Sequence, residues 1–187
     1  IENSLKQNGY TLGHFPQSFE YSTLGGWIAT RSSGQQSYFY GRIEDLFAGG
    51  VVETPQGRLE LPHFPASAAG PDLRHIVLGS EGRIGVITQA QVRIKRSSQA
   101  EAFFGIFFHD WQSGFEAVRQ IVQSGLKVSM LRFSNPLETE VSLALSGKES
   151  LMQIANRGLR ILGYGSQRCL LVCGVTGTAD HVQNTHH

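Results

Sequence analysis

Cysteine is scarce, with Cys 2 in 187 residues. Two thiols cannot build a disulfide framework, and they are too few for a zinc site of their own. Charge of one sign is also lacking: Lys+Arg 16 stand against Asp+Glu 15, a net charge of +1. That balance argues against a broad electrostatic grip on nucleic acid or an anionic membrane, so no nucleic-acid partner is expected. No apolar run approaches the ~20 residues that cross a bilayer. Charged residues are 17% and hydrophobic residues 40%, which excludes charge-driven disorder. No signal-peptide pattern is read in the first residues, so none is expected, and no repeat or low-complexity segment interrupts the sequence. The default home is therefore a reducing, cytoplasmic interior.

Glycine is what the chain has in excess: 22 of 187 residues, against an average usage of about 7%. The glycines follow no G-x-y period, so they mark positive-φ turns or backbone pressed close to a ligand. A chain of this length can bury roughly 70% of its unfolded surface. The pattern divides it into residues 1–97 and 98–187, joined near Arg96-Ser97-Ser98-Gln99. In the first part Ile1 to Gln7 reads as a helix end stopped at Asn8-Gly9. Val51–Thr54 and Arg58–Leu61 read as a hairpin around Pro55-Gln56-Gly57. Pro71 opens a short helix over Leu73–Leu78, and Val86–Ile94 alternates as a strand with Val86, Thr88, Ala90, Val92 and Ile94 on one face.

The second part predicts strands over Ala102–Phe108, Val128–Phe133 and Cys169–Val175. Between them lies a helix capped by Asp110 with Phe115, Val118, Ile121 and Val122 on its apolar stripe, ended at Gly125. A helix opened by Pro136 carries Leu137, Val141 and Leu145 on one face, and a third helix is predicted over Leu151–Leu162. This order suggests an α+β or split βαβ module. Phe103, Phe104, Phe107, Phe108 and Trp111 are expected in the core. Cys169 and Cys173 share a strand face and read as buried thiols rather than metal ligands; no metal is expected.

Two glycine-bearing segments carry chemistry. In Ser22-Thr23-Leu24-Gly25-Gly26-Trp27-Ile28-Ala29-Thr30-Arg31-Ser32-Ser33-Gly34, adjacent glycines would leave backbone N–H groups unobstructed. The flanking hydroxyls would add short donors, so a loop here could hold a pyrophosphate without lysine. An ordinary tight turn around a buried Trp is the equal alternative. In Gly79-Ser80-Glu81-Gly82-Arg83-Ile84-Gly85-Val86-Ile87-Thr88, Gly82 and Gly85 would admit a planar ligand to the backbone, or simply join a helix to a strand.

Taken with Gly9-Tyr10-Thr11-Leu12-Gly13-His14, Pro16, Ser18, Glu20, Gly41, Ile43-Glu44-Asp45-Leu46 and Gly70-Pro71-Asp72-Leu73, these segments resemble the FAD-binding domain of the vanillyl-alcohol-oxidase, or PCMH-type, flavoproteins. Within that superfamily the chain is most similar to the alkyldihydroxyacetonephosphate-synthase group. The resemblance covers nearly all of residues 9–95 and continues more weakly beyond. It implies an α+β fold. Residues 1–97 would be the second subdomain of the FAD-binding domain, and 98–187 the first part of a ferredoxin-like cap domain. It also implies FAD as cofactor, lined by Gln17, Ser18, Phe19, Glu20, Tyr21, Ser22, Thr23, Thr30, Arg31, Ser32 and Ser33. Glu81, Gly82, Arg83, Ile84, Gly85, Val86 and Ile87 would hold it from a second side. Arg83 and Gln17 depart from the group, which often has a small residue at the first position and an acidic one at the second. His14 is expected to line the site, with the capping of a turn as the alternative.

Met130-Leu131-Arg132-Phe133-Ser134-Asn135-Pro136 resembles the start of the group's cap domain, which makes Arg132 the expected catalytic or substrate-anchoring residue. A guanidinium suits phosphate or carboxylate because its fork donates twice; a solvated arginine at a strand end is the bland alternative. The implied reaction exchanges the acyl chain of acyl-dihydroxyacetone phosphate for a fatty alcohol, in ether lipid synthesis, without net redox change. FAD-linked oxidation of a 2-hydroxy acid is the alternative reading, and a catalytically inert flavin-domain fragment is a third. By the same resemblance, a first flavin subdomain is expected upstream of Ile1 and further active-site residues downstream of His187. Small-molecule lipid or hydroxy-acid substrate, homodimerisation, and peripheral membrane contact through parts outside this chain are the partners it suggests. A cytoplasmic home, or a peroxisomal one in a eukaryote, goes with that reading.

Overall fold

The computed structural model describes residues 1–65, 68–145 and 157–185. The chain forms two compact units, Ile1–Ser97 and Ser98–His187.

The first unit opens with α1 (Glu2–Gln7), which ends at Asn8 because Gly9 turns the chain at φ +77. Glu2 ties this helix to the adjoining strand and turn: its carboxylate accepts from Thr11 Oγ1 at 2.9 Å and from the Leu12 N–H at 2.9 Å. Strand β1 (Tyr10–Thr11) comes next, then a 3-10 turn at Phe19–Tyr21, and the short helices α2 (Leu24–Thr30), α3 (Ser37–Tyr40) and α4 (Ile43–Leu46). Strands β2 (Phe47–Thr54) and β3 (Gly57–Leu61) form the expected hairpin, with Thr54 opposite Gly57. Helix α5 (Arg74–Val77), strand β4 (Val86–Val92) and strand β5 (Lys95–Arg96) complete the unit. The sheet order is β3-β2-β4, all antiparallel, while β1 pairs with β5. Leu12, Trp27, Ile28, Ile43, Phe47, Val52, Leu61 and Val77 are among the side chains buried in one core.

Strand β4 does not keep the expected alternation. Val51 pairs with Gln89 but Val52 pairs with Ile87, so Thr88 is an extra residue in the ladder. A bulge of this kind shifts the side-chain parity by one. Ile87, Ala90 and Val92 therefore pack against the core, and Val86 is 69% exposed.

The second unit contains β6 (Ala100–Phe108), α6 (Trp111–Gln123), β7 (Met130–Ser134), α7 (Pro136–Ala144), β8 (Cys169–Gly177) and α8 (Ala179–Thr185). Strand β8 lies between β6 and β7 and is antiparallel to both. The flanking strands are thus parallel, joined by α6, and split by a third strand, which is the expected α+β arrangement. Asp110 Oδ1 accepts the Ser113 N–H at 2.8 Å to cap α6, and Gly125 turns the chain after it at φ +75. Asn135 Oδ1 accepts the Glu138 N–H at 2.8 Å to cap α7, with Pro136 in the first turn. Of the helix expected over 151–162, residues 151–156 lie outside the described residues and 157–161 are helical.

The apolar faces fall differently from the periodicity. Helix α6 meets the sheet at Gly114, where the absent side chain lets the Phe133 ring and Phe108 approach the helix backbone. That contact turns Ile121 inward, while Phe115 and Val122 stay 49% and 45% exposed. Helix α7 seats on Thr139, whose hydroxyl donates to the Ser134 carbonyl at 3.2 Å and accepts the Leu170 N–H at 3.0 Å. Its stripe of Leu137, Val141 and Leu145 faces away from the sheet and is exposed. Phe103 and Trp111 are also exposed rather than core, because β6 is an edge strand and Trp111 opens α6. Cys169 and Cys173 are buried free thiols on the inner face of β8, and burial raises both above the ordinary thiol range.

Candidate functional site

The two glycine-bearing segments, some fifty residues apart in sequence, meet along one edge of the first unit. The Gly79 N–H donates to the Ile28 carbonyl at 3.1 Å, and the Glu81 N–H donates to the Ala29 carbonyl at 2.8 Å. Both acceptors lie in the last turn of α2, where carbonyls lack helical partners. Arg31 then leaves the helix in the left-handed region, φ 52, and its guanidinium donates to the Leu78 carbonyl at 3.4 Å. Glu81 adopts the same region, also at φ 52. Two non-glycine residues in that conformation mark a tightly constrained crossing. At the other end of α2, a Cβ added at Gly25 would lie 3.7 Å from the Ile87 Cβ, so the helix and β4 are in close contact.

Residues 22–34 are not an open loop. Thr23 caps α2 through its Oγ1, which accepts the Gly26 N–H at 3.1 Å, and the Thr23 carbonyl accepts the Trp27 N–H at 2.9 Å. The hydroxyls expected to face a ligand are engaged within the chain. Ser22 Oγ donates to the Ser18 carbonyl at 2.7 Å and accepts from Trp27 Nε1 at 2.6 Å. Thr30 Oγ1 donates to the Gly26 carbonyl at 2.9 Å, and Ser32 Oγ pairs with His14 Nε2 at 2.7 Å. Short hydroxyl side chains compete for nearby backbone groups in this way, and a seven-residue helix offers many. Arg31 is likewise occupied, by Glu44 at 3.4 Å as well as Leu78.

The remaining expected residues divide between outward and supporting positions. Gln17, Ser18, Glu20, Ser33 and Tyr21 are exposed, Tyr21 to 92%. Phe19 is half-buried and stacks on Trp27, with ring centroids 5.7 Å apart. Gly82 has φ +80, and nothing stands within 4 Å of where its Cβ would be. Arg83 is exposed and bonds back to the Ser80 carbonyl at 3.3 Å. Ile84 and Ile87 are half-buried and Val86 is exposed. Gly85 is different: a Cβ there would press on the Glu53 carbonyl and sit 3.1 Å from Val52 Cγ1, so this glycine is a packing requirement.

His14 lies beneath this edge, fully buried. Its ring meets Trp27 edge-on at 5.2 Å, and burial lowers its pKa from the ordinary 6.5. Among the described residues Nδ1 has no hydrogen-bond partner, so a buried polar atom remains unsatisfied there. Glu44 joins Arg31 and Arg42 at 3.4 and 3.3 Å, a pairing the sequence did not indicate because Arg31 lies on another element, at the end of α2. The edge as a whole offers an open glycine, exposed Tyr21 and Val86, and an unsatisfied imidazole nitrogen behind the hydroxyl of Ser32. Of these, the open glycine and the exposed side chains are what a ligand could reach, while the imidazole lies below the surface.

In the second unit Arg132 sits in mid-β7, opposite Val172, and its Nη2 donates to Glu138 Oε1 at 2.8 Å. Neighbouring Phe133 faces α6, so Arg132 lies on the other face of the sheet.

Residues 1–61 match the family model described as an FAD binding domain, and residues 97–187 match that of the C-terminal domain of FAD linked oxidases. The chain therefore belongs to the FAD-linked oxidase family of flavoproteins, with FAD as its cofactor. Among relatives it is 44% identical over 144 residues to alkyldihydroxyacetonephosphate synthase of Dictyostelium discoideum, covering 77% of this chain and 24% of that protein. A solved structure of an alkyldihydroxyacetonephosphate synthase superposes with TM-score 0.84 at 36% identity, covering 100% of this chain and 34% of that one. A mitochondrial cytochrome-type D-lactate dehydrogenase of Arabidopsis thaliana is similar at 29% identity over 129 residues, 68% of this chain and 23% of that protein. The chain thus spans a quarter to a third of the length of the synthases it matches.

Proposed function

We propose that the full-length protein is an alkyldihydroxyacetonephosphate-synthase-type enzyme. It exchanges the acyl chain of acyl-dihydroxyacetone phosphate for a fatty alcohol. The bond between the dihydroxyacetone carbon and the acyloxy oxygen breaks, and the fatty acid leaves. The alcohol oxygen bonds to that carbon and its proton goes to the medium, so no electrons are gained or lost overall. Its flavin-binding part rests on the meeting of residues 22–33 with residues 79–87 along α2, and its exchange chemistry on the relatives. The higher identity to synthases than to the lactate dehydrogenase supports it.

FAD, when bound, supplies the electron-accepting ring system on which this chemistry depends. The chain's own residues would do the rest. The open Gly82 and exposed Val86 would let the cofactor lie against backbone. His14, kept neutral by burial, would hold the Ser32 hydroxyl through Nε2. Arg132 would bind the anionic phosphate of the substrate through its free guanidinium edges. Product analysis of the full-length, FAD-loaded protein tests this. Alkyl-dihydroxyacetone phosphate and free fatty acid are expected from acyl-dihydroxyacetone phosphate and a long-chain alcohol. Dye reduction by D-lactate or another 2-hydroxy acid, with no exchange product, would overturn the synthase reading in favour of a dehydrogenase.

A further inference from the structure

We infer that Glu138 is a positioning residue for Arg132, an inference that rests on the reading of Arg132 as the anchor for an anionic substrate. Strand β7 places Arg132 in a cross-strand row with Val172 and Gly105, neither of which can hold a guanidinium. An arginine on such a face has a long, freely rotating stem. Among the described residues Glu138 is the one acidic side chain at ion-pair distance from it, 2.8 Å between Nη2 and Oε1. The backbone at Glu138 is fixed. Its N–H is bound by the Asn135 cap, and the first turn of α7 in which it lies is anchored by buried Thr139. Among the described residues the carboxylate accepts from Nη2 alone, so Nε and Nη1 would remain for a phosphate. Glu138 thus selects one orientation of the fork before substrate arrives, and pre-ordering a binding group raises affinity without a new contact.

Stability alone would not require this pair. The two side chains are 48% and 44% exposed, and exposed pairs contribute little to folding. Loss of Glu138 should therefore leave the fold intact and change binding.

The experiment uses the full-length, FAD-loaded protein with the variants E138A, E138Q, R132A and the double variant R132A/E138A. Calorimetric titration with dodecyl phosphate reads binding independently of any reaction, and exchange kinetics read KM and kcat. E138A should weaken dodecyl phosphate and raise KM by about fivefold with kcat within about twofold. E138Q, whose amide oxygen still accepts, should recover most of that loss. The double variant should be no worse than R132A, since Glu138 acts only through Arg132. Wild-type binding in E138A alongside weakened R132A would overturn the role of Glu138 and leave that of Arg132 standing. Unchanged binding in R132A would overturn both. Tighter binding in both Glu138 variants would overturn positioning, because the carboxylate would then be a competitor for the guanidinium.

Discussion

Replacing His14 by phenylalanine separates the charge of a buried ring from its volume. In the first unit the imidazole is fully buried, touches Trp27 edge-on, and among the described residues makes one hydrogen bond, to Ser32 Oγ at 2.7 Å. Phenylalanine keeps most of the packing and gives up that bond, whose net worth is about 1 kcal/mol. The pH dependence is the sharper signature. Burial lowers the folded pKa below 6.5, so the unfolded chain takes up a proton first as the medium is acidified. Stability contributed by neutral His14 is fully present above 6.5 and is lost as pH falls below it, until the folded pKa is reached. The slope for one proton is at most about 1.4 kcal/mol per pH unit. Urea unfolding between about pH 7.5 and 5.5 should show this falling limb, and His14→Phe should flatten it while lowering neutral stability by ~1 kcal/mol. Trp27 is the natural reporter, and a Trp111→Phe background removes the only other tryptophan of this chain, which lies in the second unit. A flat wild-type profile, or the same limb in the phenylalanine variant, would refute the assignment of a buried, neutral imidazole.

Gly85→Ala forces a Cβ against the Glu53 carbonyl, so urea unfolding should show a loss of about 1–3 kcal/mol, whereas Gly82→Ala meets open space and loses only about 1–2 kcal/mol through its left-handed backbone. Thr23→Ala removes the cap on α2 and should cost about 1 kcal/mol, largely restored by Thr23→Ser, in the same assay. Gly114→Val drives a side chain into the Phe133 ring, and near-ultraviolet circular dichroism should show the Trp111–Phe133 stack, now 4.6 Å between centroids, disturbed in a second unit destabilised by about 1–3 kcal/mol.

Local chemistry was legible where it acts over one turn of chain. Asp110 caps the helix that the sequence assigns it, Pro136 opens α7, Gly125 turns the chain after α6, and the Pro55-Gln56 turn closes the hairpin. Periodicity failed where a long-range contact sets the phase. The extra residue at Thr88 depends on how β4 registers with β2, and the inward line of α6 depends on Phe133 reaching Gly114. Neither partner is near in sequence. The candidate site was legible as two segments, because glycine spacing survives in one dimension. Its donors were not, since the same serines and threonines that suit a pyrophosphate also suit the end of a short helix. The structure commits Ser22, Thr23 and Thr30 to α2 and its surroundings, and Ser32 to His14.

Whether the edge formed by residues 22–33 and 79–87 holds FAD is tested by fluorescence titration of the full-length apoprotein with FAD, wild type against Gly82→Val. At Gly82 an added Cβ meets no protein atom within 4 Å, so apart from the strain of its left-handed backbone a side chain there would intrude on a ligand. Binding should be at least about tenfold weaker in the variant, ~1.4 kcal/mol, with the first unit still folded by Trp27 emission. Equal affinity for FAD in a folded Gly82→Val protein would contradict a flavin seated on this edge.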